Sequence, residues 1–284
     1  MPNGVINLGQ INFTNSLPLN FSIAKWKFNE LKVYNGCPSE INTMMKDNIL
    51  HVAPVSSVEY LNNQDKYTLL GNICISSTGR VDSVILFSNC EFKELSGKNI
   101  AVPYTSACSI ALLKILLAEN SIDLNSIMFH VHRYELPLEE FLGRKYDAVL
   151  YIGDPAFCAN IKHKDRCFTY DLGDCWYKMT NLPMVFAVWV ASSAWMNNNY
   201  DNFLWIKNIL DKAVESGLSL YFNDVINLAT DNLKIDKIYI EDYLTDKIRY
   251  KFTEDHMNSL ELFKKLYNKF NVMADIATGT KLTR

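Results

Sequence analysis

One local order of residues recurs along this chain: an apolar run, then a short polar loop, then a helix-like pattern. It occurs at residues 52–61, at residues 98–119 and at residues 147–156. Strands that alternate with helices build sheets whose strands are mostly parallel, so the pattern predicts an α/β fold. Ligands of such folds bind at the carboxyl ends of the strands, where these polar loops lie.

The stretch GQINFTNSLPL, residues 9–19, also places polar residues at the end of a predicted strand, the first of the chain. Asn15 and Ser16 follow an apolar run and precede Pro18. One interpretation is a helix start, with Asn15 or Ser16 as the N-cap and Pro18 near the first helical position. The other is a ligand site at a strand end. This stretch alone favours the helix start.

The length of 284 residues predicts two lobes, each with its own core. Two long apolar segments, 80–88 and 183–192, lack a following Gly-rich turn and bracket the centre of the chain. We interpret them as crossover strands. The predicted division is a discontinuous first lobe, residues 1–88 plus 190–284, and an inserted second lobe, residues 89–189.

Composition limits the partners. The chain has 28 Lys and Arg against 31 Asp and Glu, which argues against a nucleic-acid partner. No apolar run approaches the ~18 residues of a spanning helix, so no membrane partner is expected. The N-terminal segment lacks the pattern of a secretory signal, and we expect a cytoplasmic protein. The 7 cysteines include no C-x-x-C pair, which argues against a disulfide framework.

Cofactor motifs are missing from the sequence: it contains no P-loop, G-x-G-x-x-G, G-x-S-x-G or H-E-x-x-H. His130 and His132 fall on one face of a predicted strand, but no third ligand accompanies them at metal-binding spacing. We interpret them as an exposed strand face. The expectation is a site without cofactor and without metal.

Two loops are the strongest candidates for binding. Thr105, Ser106 and Ser109 lie at a helix start, where hydroxyls and free N–H groups can bind an anion, although an ordinary N-cap explains them equally well. In YIGDPA, Gly153 permits close backbone approach and Asp154 is an orienting or capping carboxylate.

Six stretches together resemble a known family: GQINFTNSLPL, APVSSVEYL, STGRVDSVILFS, YTSACSIALLKILL, DAVLYIGDPA and YDLGDCWYKMTNLPMVFAVWV. In this order they resemble the chorismate dehydratases of the futalosine route to menaquinone, from about residue 5 to residue 270. The resemblance implies a type 2 periplasmic-binding-protein-like fold. That fold has two α/β lobes, each a mixed, mostly parallel sheet flanked by helices, joined by two crossover strands.

The resemblance also implies a reaction, the loss of water from chorismate to give 3-[(1-carboxyvinyl)oxy]benzoate. It makes Asn15 and Ser83 catalytic candidates. The implied substrate-binding residues are Ser56, Ser57, Thr105, Ser106, Ser109, Gly153 and Asp154. Ser56, Ser57 and Ser83 are expected in one lobe and the Ser106 loop in the other. The implied partner is a small dicarboxylate, and oligomeric state is not predicted.

The chain departs from the family pattern at three places. Ala107 and Cys108 replace part of a Ser-x-Thr-Ser pattern, Asn181 replaces the glycine of a TGLP, and His51 stands where an aspartate is usual. These departures concern the details of carboxylate binding and not the fold. Two alternatives to the dehydratase also stay open. One is a non-catalytic small-anion-binding or sensor protein of the same fold, and the other is the sister enzyme 1,4-dihydroxy-6-naphthoate synthase.

Overall fold

A computed structural model describes residues 2, 4–132, 138, 146–163 and 166–272. Its strands form two sheets. The first sheet contains β1 (Ile6–Ile11), β2 (Leu31–Gly36), β3 (Val52–Ser56), β4 (Tyr67–Ser77), β10 (Met184–Ser192) and β11 (Arg249–Lys251). The second contains β5 (Val84–Ser88), β6 (Asn99–Pro103), β7 (Met128–His132), β8 (Ala148–Ile152) and β9 (Phe168–Asp171).

The first sheet has the strand order β11-β4-β10-β3-β1-β2. β1 is parallel to both β2 and β3, whereas β10 is antiparallel to β3 and β11 to β4. Every residue of β3 is buried, as expected of a strand with helices on both faces. Because β1 and β3 are parallel neighbours, their carboxyl ends lie at the same edge of this sheet.

The second sheet has the order β7-β6-β8-β5-β9. β6 is parallel to β7 and β8, and β5 is antiparallel to β8 and β9. Both sheets are thus mixed, and in the second the described pairings divide equally between the two senses. The carboxyl ends of β6 and β8 share an edge with the start of β5, because β5 runs the opposite way.

Eleven α-helices lie in the described part of the chain. They are α1 (Leu17–Trp26), α2 (Pro38–Lys46), α3 (Ser57–Asn62), α4 (Ala107–Glu119), α5 (Gly153–His163), α6 (Leu172–Thr180), α7 (Ser193–Asn198), α8 (Tyr200–Gly217), α9 (Phe222–Leu233), α10 (Lys237–Asp242) and α11 (Glu254–Lys269). None of the described helices is long and apolar enough to span a membrane. The strand–loop–helix order predicted at three places is confirmed as β3–α3, β6–α4 and β8–α5.

The described residues fall into two compact units. Those of Met1–Ser76 and Val185–Glu254 form the first, and those of Ser77–Met184 and Asp255–Arg284 form the second. The sequence-based division differs in three places, since it put β5 and α11 in the first lobe and residues 185–189 of β10 in the second. β5 lies in the second unit because it pairs with β8 and β9. α11 lies there because Phe263 packs on Trp176, with ring centroids 5.7 Å apart.

The chain passes from one sheet to the other between β4 and β5 and returns between α6 and β10. The two long apolar segments that the sequence singled out as crossovers each contribute a strand to one sheet only. In the first of them, the strand starts at Val84, and residues 80–83 form an irregular loop. This loop carries Ser83.

Candidate active site

Asn15 lies in a single 3-10 turn, Thr14–Ser16, that joins the end of β1 to α1. Its Oδ1 accepts a hydrogen bond from Ser16 Oγ at 3.1 Å, and its side chain is half-buried. Ser16 occupies the N-cap position of α1 but makes no side-chain cap hydrogen bond, and Pro18 lies in the first turn as predicted. The Asn15 amide is therefore not used to cap the helix.

The start of α1 is fixed by close packing against α8. A Cβ at Gly217 would collide with the Pro18 backbone, so only glycine allows α8 to come this near. Ser22 also donates from its Oγ to Pro18 O at 3.0 Å. The turn that carries Asn15 thus rests on a rigid helix start.

Ser56 and Ser57 follow at the end of β3. Ser56 caps α3 by accepting from Glu59 N at 3.2 Å, and Asn42 Nδ2 donates to the same oxygen at 3.2 Å. Ser57 is completely buried, and its hydroxyl donates to Val185 O at 2.6 Å. Both hydroxyls therefore have structural partners within the first unit.

Ser106 is the N-cap of α4 in the second unit. Its Oγ accepts from Ser109 N at 3.2 Å and donates to Ser109 Oγ at 2.8 Å. Thr105, in the preceding turn, is half-buried. The capping interpretation of Ser106 is confirmed, and a helix start that also binds an anion remains a proposal.

Ser83 and Gly153 are brought together by the pairing of β5 with β8. Ser83 is buried, and its carbonyl accepts from Gly153 N at 2.7 Å. Gly153 has φ +62°, a left-handed conformation that glycine adopts without strain. Asp154 is half-buried in the first turn of α5. The backbones of Gly153 and Ser83 are thus in direct contact, and the close approach of a ligand to Gly153 stays a prediction.

The predicted residues lie at one sheet edge in each unit. In the first unit, Asn15 follows β1, Ser56 is the last residue of the neighbouring parallel strand β3, and Ser57 follows it. In the second, the Ser106 loop and Gly153 follow the parallel strands β6 and β8, and Ser83 precedes β5 at the same edge. Ser83 was expected in the same lobe as Ser56 and Ser57, but it lies in the second unit because its strand pairs there.

Asp171 is a residue that sequence reasoning missed. It is buried at the start of α6, and its carboxylate accepts backbone N–H bonds from Gly173, Asp174, Val81 and Asp82. Burial raises the pKa of Asp171 to about 6, although the backbone donors act in the opposite direction. The sequence offered a signal only for the cap, because Val81 and Asp82 lie about 90 residues away.

Asp82 is the polar centre of the loop that leads to Ser83. It adopts φ +58°, accepts from Arg80 Nε at 3.1 Å and accepts from Asn160 Nδ2 at 3.1 Å. Burial acts to lower the pKa of Arg80, but the bond and charge of Asp82 and the nearby charges of Asp171 and Asp174 raise it overall. The loop is therefore held by several contacts of different kinds.

Two departures from the family pattern have structural explanations. Asn181 ends α6 with φ +57°, a conformation that asparagine tolerates better than most residues and that glycine adopts freely. His51 accepts from Asn7 N at its Nδ1 (3.1 Å) and stacks on Trp195 with ring centroids 5.0 Å apart. Its burial lowers its pKa, which favours the neutral ring.

The histidine pair lies on β7. His130 Nε2 forms a hydrogen bond with Asn99 Oδ1 at 2.9 Å, and both histidine rings pack edge-on against Tyr146. Both histidines are half-buried, so the face is more enclosed than the exposed strand face that the sequence predicted. Within the described ranges, no group of three His, Cys, Asp or Glu side chains is arranged to hold a metal ion.

Solved structures share this fold. A protein from Archaeoglobus fulgidus is 15% identical with a TM-score of 0.76, covering 94% of this chain and 98% of its own. The alkanesulfonate-binding protein of Xanthomonas axonopodis pv. citri, bound to MOPS, is 13% identical with a TM-score of 0.67 over the full length of both chains. The fold is therefore that of the periplasmic-binding-protein-like class.

Sequence comparison is more specific. The family described as "Menaquinone biosynthesis" matches residues 6–269. A Thermus thermophilus protein named chorismate dehydratase is 32% identical over 196 residues, which cover 64% of this chain and 68% of that protein. The chain belongs to this menaquinone-biosynthesis family.

Proposed function

We propose that this protein is a chorismate dehydratase, a hydro-lyase that converts chorismate to 3-[(1-carboxyvinyl)oxy]benzoate and water. The observation that supports this most is its 32% identity to the Thermus thermophilus chorismate dehydratase, within a family match that spans both units. The polar side chains at one sheet edge in each unit are consistent with a polar small-molecule substrate. The cytoplasmic location expected from the sequence remains part of this proposal.

The reaction needs little covalent chemistry from the protein. The hydrogen on ring carbon C3 and the hydroxyl on C4 leave as water, and the ring becomes aromatic. Aromatisation supplies the driving force, so the protein has to position the substrate and stabilise the charge that develops. Neutral amides and hydroxyls are suited to this task.

We assign Asn15 the donor role toward the leaving hydroxyl or the developing negative charge. An amide is a poor base, but a preorganised donor stabilises a transition state by ~2.7–4 kcal/mol. The proton then goes to the substrate's own side-chain carboxylate or to a neighbouring group. Ser83 is the second proposed catalytic residue, held next to Gly153 in the second unit.

The remaining residues are proposed to bind the substrate. Ser106, Thr105 and Ser109 at the start of α4 suit a carboxylate, because free N–H groups and the helix dipole favour an anion there. Gly153 and Asp154 lie at the same edge of the second sheet. Ser57 is the weakest of the assignments, since its hydroxyl already donates to Val185 O.

The test is incubation of the purified protein with chorismate in the presence of EDTA, followed by chromatography of the products. Formation of 3-[(1-carboxyvinyl)oxy]benzoate supports the proposal. Chorismate that is bound but unchanged supports the alternative of a sensor protein. If chorismate is neither bound nor converted, the sister reaction that makes 1,4-dihydroxy-6-naphthoate becomes the next candidate.

A further inference from the structure

The Asp171 carboxylate connects two segments that are far apart in the sequence. Its Oδ1 accepts from Gly173 N at 3.0 Å and Asp174 N at 3.1 Å, which caps α6. Its Oδ2 accepts from Val81 N at 3.0 Å and Asp82 N at 2.7 Å. One oxygen therefore holds mainly the helix, and the other holds the loop before β5.

The loop between Gly79 and Ser83 is pressed against the start of α6. A Cβ on Gly173 would lie 2.5 Å from Ser77 Oγ and 2.8 Å from Gly79 O, so glycine is required for this approach. Ser77 Oγ in turn donates to Gly79 O at 3.0 Å. The position of the loop is thus set by the beginning of α6, and Asp171 supplies the hydrogen bonds between them.

The loop ends at Ser83, whose carbonyl accepts from Gly153 N. Asp82, the residue before it, takes a left-handed conformation at φ +58°, which a residue other than glycine adopts at a cost. The bond from Asp82 N to Asp171 Oδ2 holds this conformation. The backbone that Asp171 holds at Asp82 is thus one peptide unit away from Ser83.

We propose that Asp171 is the positioning residue for Ser83, which it acts on by fixing the backbone of the Gly79–Ser83 loop. This inference rests on the proposed function for the role of Ser83 in the reaction. Asp171 is 4% exposed, and both of its carboxylate oxygens accept backbone N–H bonds, so the role we propose is indirect. A buried carboxylate suits this role because only an unprotonated, two-oxygen acceptor serves both the helix and the loop.

Two substitutions separate the loop contact from the helix cap. Asp171→Asn keeps Oδ1, which accepts from Gly173 and Asp174 and also from Val81 N at 3.1 Å, but turns an NH₂ group toward Asp82 N. Asp171→Ser keeps a capping oxygen that is too short to reach the loop. Asp147→Asn is the matched control, because Asp147 Oδ2 also accepts a backbone N–H, from Asn99 at 2.9 Å, in the same unit.

The experiment measures kcat and KM for chorismate and the hydrogen exchange of amides 79–83, with melting temperature as the check on folding. Both Asp171 variants should lower kcat about 10- to 100-fold, with KM changed less than about threefold, because small displacements of reacting groups have effects of this size. Amide exchange in the loop should become faster by about tenfold or more. Asp147→Asn, which loses a backbone N–H bond outside the loop, should show neither effect.

Unchanged exchange in the loop, or kcat within about twofold of the unmodified protein, overturns the proposal. A fall in kcat that merely follows melting temperature, and that Asp147→Asn reproduces, also overturns it. An unmodified protein that does not convert chorismate contradicts the proposed function instead. In that case the exchange data still decide whether Asp171 fixes the loop.

Discussion

At the scale of single residues, the question is whether Asn15 acts as a helix cap or as a catalytic hydrogen-bond donor. The structure shows that the N-cap residue Ser16 makes no side-chain cap hydrogen bond to α1. Instead, Ser16 Oγ donates to the side-chain oxygen Oδ1 of Asn15. The Asn15 NH₂ group is the donor that our proposal directs at the substrate. Loss of Asn15 should therefore affect turnover more than folding.

Asn15→Ala should lower kcat by ~10²–10³ while KM and melting temperature change little, because a preorganised donor acts on the transition state. The control is Asn20→Ala, which removes a bond from Asn20 Nδ2 to Ile11 O at 3.0 Å in the same region. It should lower stability by ~1 kcal/mol and leave kcat nearly unchanged. Normal turnover in Asn15→Ala with a lower melting temperature would make the residue a structural one.

Gly153→Ala tests the backbone contact with Ser83. With φ at +62°, an added Cβ should destabilise the protein by ~1–2 kcal/mol. Gly97→Ala introduces the same kind of strain at φ +73°, where a Cβ meets no atom within 4 Å. Both variants should have a lower melting temperature, but only Gly153→Ala should also change kcat or KM. Equal kinetics in the two variants would remove Gly153 from the site.

At the scale of elements, the start of α4 combines a cap with the proposed carboxylate site. Ser106→Ala should reduce stability by ~1 kcal/mol, since it removes the cap. Ser106→Asp keeps a good cap but brings a negative charge, so it should raise KM by about tenfold with little loss of stability. Melting curves measure the change in stability of both variants, and steady-state kinetics measure the change in KM.

Ser192→Asp is the control for this pair, because Ser192 caps α7 in the first unit by accepting from Trp195 N at 3.4 Å. It should change neither KM nor kcat. If Ser106→Asp and Ser192→Asp give the same KM, the α4 loop is a cap and nothing more.

Elements were also what the sequence predicted best. The β3–α3, β6–α4 and β8–α5 units follow from local patterns of apolar and polar residues, and the ends of their strands located the loops. Contacts between distant segments could not be predicted in this way. Asp171 binds Val81 and Asp82 through backbone N–H groups, which every residue except proline has, so no residue type marks the partner.

The same reason explains the lobe boundaries. The run at 80–88 was apolar enough for a strand, but only its pairing with β8 and β9 shows which sheet it joins. Likewise, Leu260, Phe263 and Tyr267 of α11 recur at helical spacing, which indicates a buried helix face without indicating what covers it. Periodicity reports that a face is buried, and the partner depends on the tertiary structure.

At the scale of the whole molecule, α11 tests the division into units. Phe263 is 1% exposed and packs against Trp176, whose Nε1 donates to Ser259 Oγ at 3.1 Å. Phe263→Ala should therefore lower the free energy of unfolding, measured by urea denaturation, by ~3–5 kcal/mol. Leu228→Ala, at a residue 37% exposed on α9, should cost less than ~0.5 kcal/mol. Similar midpoints for the two variants would show that α11 is not part of the second unit's core.

The central claim is that this chain removes water from chorismate, and a proton NMR time course of chorismate with the purified protein tests it most directly. We expect the signals of the dihydro ring to disappear as those of an aromatic ring with an intact enolpyruvyl group grow in equal amount. Asn15→Ala should slow this conversion, and Asn20→Ala should leave it nearly unchanged. Persistent chorismate signals in the presence of folded, unmodified protein would contradict the account.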